Sequence, residues 1–180
     1  MIIALAGRRI DAIDAKQLRF SPAPESIELV RNRMRATFIS QRAIALVSSA
    51  ACGADLLALS EAGLLNMRRR IVLPFSRAKF RTTSVTDRPG DWGKLYDDVL
   101  DEVEPQGDLL IIEANSDDSA YAETNHRIIQ EAQSLGNDLQ HCVSAVRVWE
   151  GQSRGAGDLT EEFGIYAQKK GIPVMDVMTI

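Results

Sequence analysis

Residues that bind metals or form cross-links are scarce in this sequence. Cys52, Cys142, His126 and His141 are the only cysteines and histidines in 180 residues. They supply neither a disulfide framework nor a zinc spacing, so no metal and no cofactor is expected. Long apolar runs are missing too. Nothing approaches the roughly 20 residues that cross a bilayer, and Met1-Ile2-Ile3-Ala4 has neither the basic start nor the length of a secretory signal. A cytoplasmic protein with no membrane partner is therefore expected. Aromatics make up 6% of the chain, and no cluster interleaves them with Arg and Lys as single-strand binders do, so nucleic acid is not an expected partner. No G-x-G-x-x-G follows the first apolar run and no G-x-x-x-x-G-K-[ST] occurs anywhere, which removes the common dinucleotide and P-loop sites.

The length suits one domain spanning residues 1–180. Charge is distributed unevenly along it. Residues 1–90 hold 15 Lys/Arg against 7 Asp/Glu, and residues 91–180 hold 6 against 18, giving halves of +8 and −12. A basic half suits an anionic ligand, and the acidic half repels a polyanion, so a small phosphorylated molecule fits better than DNA.

Short apolar runs at Ile2–Ala6, Ala43–Val47, Ile71–Leu73, Leu109–Ile112, Val143–Trp149 and Ile172–Val174 read as strands, and helical periodicity fills most of the gaps between them. The arginines Arg68-Arg69-Arg70 read as a solvated turn, and Phe75 to Val85 as a polar connection able to close over an anion. Asp91 is expected to cap the helix of Trp92, Tyr96 and Val99, with Asp97, Asp98, Asp101, Glu102 and Glu104 on its solvated side. The acidic stretch Asn115–Ser119 opens the next helix, which carries Asn125 on its apolar side. Strand–helix alternation implies an α/β fold: a single Rossmann-like three-layer sandwich with a mostly parallel sheet of five to six strands.

Candidate ligand groups fall after the first, second and fifth strands, where such sheets bind ligands. Gly7-Arg8-Arg9 offers arginines for a phosphate. Ser48-Ser49-Ala50-Ala51-Cys52-Gly53-Ala54-Asp55 reads as a small-residue turn into a helix, where backbone N–H groups and the dipole favour an anion. Asp55 there either caps the helix or meets a ligand hydroxyl. Asn125, within its helix, either bonds to backbone or reads a ligand. The third connection, Gly151 to Asp158 with Gly155 and Gly157, opens the last helix, where Asp158 and Glu161 form an Asp-x-x-Glu capping box and Thr160 lies between them.

Gly7-x-Arg9-x-Asp11, the Ser49–Asp55 turn, Leu73-Pro74-Phe75 with Phe80-x-x-x-Ser84-Val85, Asn125, and Val148-Trp149-x-Gly151 resemble the SLOG superfamily. That superfamily includes the cytokinin-activating phosphoribohydrolases and the DNA-processing protein A fold. The resemblance covers nearly the whole chain and implies a Rossmann-like domain that binds nucleotides or nucleotide-derived ligands, alone or joined to signalling domains. It implies ligand-binding roles for Arg9, Gly53, Asp55 and Asn125; Gly7, Arg8, Ser49, Cys52, Gly151, Gly155, Gly157, Asp158 and Thr160, on the same connections, are the further ligand-binding candidates. Gly7-Arg8-Arg9 stands where close relatives carry Gly-His-Arg. The hydrolase pattern Pro-Gly-Gly-x-Gly-Thr-x-x-Glu is echoed out of register in Gly155–Glu162, so Glu161 and Glu162 are the catalytic candidates of an alternative N-glycosidase reading. The Leu-rich helix after Asp55 offers a surface for a homodimer.

Overall fold

The computed structural model describes residues 1–114 and 119–180, so residues 115–118 of the expected acidic loop lie outside it. Six strands form one sheet: β1 (Ile2–Gly7), β2 (Ala45–Ser48), β3 (Arg68–Leu73), β4 (Leu109–Ile111), β5 (Val143–Trp149) and β6 (Val174–Met178). Their spatial order is β4-β3-β2-β1-β5-β6, and each neighbouring pair is parallel. Six helices connect them: α1 (Pro24–Ser40), α2 (Ala54–Leu64), α3 (Arg77–Ser84), α4 (Trp92–Val103), α5 (Ser119–Leu139) and α6 (Leu159–Lys169). No helix among the described residues is long and apolar enough to cross a membrane.

Period-2 alternation in a strand with no polar residue gives β1 two apolar faces. Ile3 and Leu5 pack with α1, α2 and α4, whereas Ile2, Ala4 and Ala6 pack beneath α5 and α6. The architecture is a Rossmann-like three-layer sandwich. Chain direction across the sheet reverses at β1, with β2 on one side and β5 on the other, which is the topological switch point where ligand crevices open.

Several local readings change. Arg68, Arg69 and Arg70 lie within β3, because acidic groups from elsewhere receive them: Arg68 and Arg70 bond to Asp108, Arg70 also to Glu131, and Arg69 to Glu102. The polar stretch after β3 is helix α3, capped by Ser76. Its cations turn away to α4 and the turn beyond it, Arg77 to Asp101 and Glu104, and Arg81 to Asp97, so the acids of α4 are partly paired. Asp91 precedes α4 without a side-chain capping bond. Leu109–Ile111 is an edge strand, and Ile111 is 41% exposed because nothing pairs on its outer side. The leucines Leu56, Leu57 and Leu59 of α2 are buried within the chain, whereas Leu64 at its end is exposed.

The β1 loop and the start of α2 meet backbone to backbone. The Ala54 amide donates to the Arg8 carbonyl at 3.1 Å, and Gly53, with φ +97°, is the N-cap of α2. A Cβ at Gly53 would stand 2.7 Å from the Ile10 nitrogen and 2.8 Å from the Arg8 oxygen. Gly53 thus faces protein rather than open space, and a side chain there strikes the fold before any ligand. Gly53→Val should destabilise the protein by about 3 kcal/mol or more through positive φ and backbone overlap. Urea unfolding measures this, and a variant of wild-type stability would contradict the packing.

Candidate functional site

A cavity of about 550 Å³ opens at the switch point, within the usual range for small-ligand pockets. Residues following β1, the turn after β2, α3, and the first turns of α5 and α6 line it. Of the residues expected to bind a ligand, it brings together Gly7, Arg8, Arg9, Ser49, Asp55, Asn125 and Thr160. Cys52, Gly53, Gly151, Gly155, Gly157 and Asp158 are not on the lining, nor are the catalytic candidates Glu161 and Glu162. Asp11, Arg19, Phe80, Ser84, Arg88, Tyr121 and Arg154 are also on the wall.

Arg8 is 4% exposed, and its donors are engaged by protein. Nε and Nη2 donate to Glu150 at 2.6 and 3.0 Å, while Nη1 and Nη2 donate to Asp158 at 2.6 and 2.8 Å. Nη2 also reaches the Gln152 carbonyl at 3.1 Å. Asp158 in turn accepts the amides of Arg154, Thr160 and Glu161, so it is the N-cap of α6 as well as the partner of Arg8. These donors hold its carboxyl well below the ordinary carboxylate range against the opposing pull of burial. The phosphate site expected on the last glycine connection is therefore filled by the protein's own carboxylate. The glycines there sit in exposed loop backbone with positive φ.

The turn after β2 is closed in a similar way. The Cys52 amide donates to the Ser84 carbonyl, the Ala51 amide to Asp55, and the Ala54 amide to Arg8. Cys52 is fully buried, with Sγ 3.6 Å from Arg9 Nη2, and burial pushes its thiol up. Asp55 does not cap α2. One oxygen takes the Ala51 amide at 3.3 Å, the other has no hydrogen-bond partner, and the side chain faces the cavity. Burial raises its pKa from 3.8 to about 7, opposed by the Ala51 amide, the charge of Arg9 and the Gly7 amide. Asn125 donates to the Leu159 carbonyl at 2.9 Å and so ties α5 to α6 beside the cavity.

Buried polar atoms in folded proteins are almost always hydrogen-bonded. Among the described residues, the buried side-chain atoms without a partner are Arg9 Nε, Arg19 Nη1, Ser49 Oγ, Asp55 Oδ1, Arg88 Nε and Trp149 Nε1. All but Trp149 belong to the cavity wall. Capacity to hold an anion thus resides in guanidinium groups rather than in helix N-termini. Arg19 and Arg88 carried no sequence signal, since both come from irregular segments with no motif. Arg154 was legible only as part of the glycine connection.

No protein-family model matches the sequence, and no curated protein matches it. Among solved structures, the X-ray structure of DNA processing protein A from Streptococcus pneumoniae aligns at 10% identity and a TM-score of 0.38, over 94% of this chain and 61% of that one. This chain thus spans about three-fifths of the length of that protein. A likeness at this level carries no argument, and the function is read from the site itself.

Asp158→Asn preserves a cap but leaves Arg8 short of a buried carboxylate, and should cost about 3 kcal/mol or more. Urea unfolding checks it, and no loss would mean that the pair does not hold the site together. Asp55 has the opposite sign. Its folded pKa of about 7 lies above 3.8, so the native state keeps a proton that the unfolded state releases. Stability should fall as pH rises from about 4 to 7, by at most on the order of 4 kcal/mol, and level off above. Asp55→Asn should therefore stabilise the protein at pH 8 and have little effect at pH 4. Equal effects at the two pH values would contradict a buried, protonatable Asp55.

Proposed function

We propose that this chain is a SLOG-like binding module that senses a nucleotide or nucleotide-derived small ligand in a bacterial signalling setting. The observation that carries the reading is the concentration of unpartnered buried polar atoms on one cavity wall. Arg9, Arg19 and Arg88 supply guanidinium donors suited to phosphate, whose charge-assisted bonds to arginine are among the stronger polar contacts. Asp55 and Ser49 supply an acceptor and a hydroxyl suited to ribose hydroxyls. Tyr121 supplies aromatic surface for a base. The Tyr121 ring is fixed edge-on to Phe75 at 6.1 Å and by the Ser84 hydroxyl at 3.2 Å.

The N-glycosidase alternative loses support because Glu161 and Glu162 lie off the cavity wall, where Ser153 donates to Glu161. Incubation with nucleoside monophosphates should release no base.

Thermal-shift screening against nucleotides tests the binding reading, since a ligand at about 100 times its Kd stabilises by roughly 2.7 kcal/mol. Arg9→Ala should weaken the binding of the responding nucleotide by about 1.5–3 kcal/mol, read by calorimetry. No shift with any nucleotide, or an unchanged affinity in Arg9→Ala, would count against it.

A further inference from the structure

The arginines of the cavity fall into two banks separated by β1. On the β5 side, Arg8, Arg19 and Arg154 share the two carboxylates of Glu150 and Asp158, an excess of one guanidinium. Arg19 Nη1 stands 3.3 Å from Glu150 without a hydrogen bond. The Arg154 guanidinium reaches Asp158 only at 3.7 Å. Burial and the charges of Arg8 and Arg19 lower its pKa, the signature of cations crowded without enough counter-charge. On the β2 side, Arg9 and Arg88 share Asp87, again an excess of one. Arg9 is anchored to Cys52 in the turn after β2, Arg88 Nε approaches Asp87 only at 3.8 Å, and the Nε atoms of both lack a hydrogen-bond partner.

Among the described residues the wall itself carries two acids. Asp11 accepts the backbone amides of Arg19 and Phe20, and Asp55 is the buried carboxyl at the β2 turn.

We infer that the cavity takes a ligand with two separate anionic groups, one held by Arg9 and Arg88 and the other by Arg19 and Arg154, joined by a neutral hydroxyl-bearing unit at Asp55 and Ser49. A lone phosphate leaves one bank unfilled. A nucleoside or sugar phosphorylated at two separated positions has the required chemistry. The inference rests on the reading of this cavity as an anion site, but not on the ligand being a nucleotide.

Inorganic phosphate titrated into the full chain, followed by amide NMR, tests it independently of spacing. Two separately saturating sets of shifts are expected, one around Arg9, Cys52 and Arg88, the other around Arg19 and Arg154–Thr160. Arg88→Gln should weaken the first set at least tenfold and spare the second, and Arg154→Gln the reverse. Both side chains are partly exposed, and an unchanged spectrum elsewhere verifies the fold. A single set, loss of both sets in either variant, or no response to phosphate would overturn the two-bank arrangement. AMP added afterwards should displace phosphate from one bank only. If AMP fails to compete while both sets persist, the nucleotide reading falls and the two banks stand. If AMP competes but only one set exists, the banks fall and the nucleotide reading stands.

Discussion

Arg8 holds the site together. Its amide donates to the Val148 carbonyl of β5 at 2.8 Å, its carbonyl receives the amide of Ala54 at the start of α2, and its guanidinium grips Glu150 after β5 and Asp158 at the cap of α6. One residue thus joins β5, the start of α2 and the cap of α6 beside the cavity. A buried ion pair gains little net energy because desolvation offsets attraction, but its geometry is exacting, and removing one partner strands a charge in the interior. Arg8 therefore acts as a fixed strut for the wall, and the arginines around it are the proposed phosphate contacts.

The charge asymmetry of the sequence takes on a different meaning in three dimensions. The basic first half and the acidic second half largely neutralise one another across the fold: Arg8 with Glu150 and Asp158, Arg68 and Arg70 with Asp108, Arg77 with Asp101, Arg81 with Asp97. At the cavity, Arg9, Arg19 and Arg88 each keep one buried nitrogen without a hydrogen-bond partner. The basic half is thus chiefly a folding device.

The sheet was legible because its strands are short apolar runs, and the switch point followed from the alternation of strands and helices. Arginines in β3 concealed its first half, since their partners Asp108 and Glu131 lie far along the chain. Helix α3 was hidden by a polar composition that also suits a loop. At the site, Gly7, Arg9, Ser49 and Asp55 were legible from the turns that carry them. The glycines were misleading: Gly53 serves backbone contact with the β1 loop, and Gly155 and Gly157 serve an exposed turn. Asp158 read as a capping-box residue and a ligand-binding candidate, whereas the Arg8 pairing that engages it spans 150 residues. Distance in sequence, rather than ambiguity of residue type, is what concealed the site's chemistry.

We propose that the buried atoms of the switch-point cavity without hydrogen-bond partners are ligand contacts. A crystal structure of the complex with a nucleotide selected by thermal shift tests it most directly. The account predicts an anionic group within hydrogen-bond distance of Arg9, Arg19 or Arg88, a hydroxyl on Asp55, and Arg8 still paired with Glu150 and Asp158. A nucleotide bound elsewhere, with those atoms unengaged, or an Arg8 that leaves its carboxylates for the ligand, would contradict it.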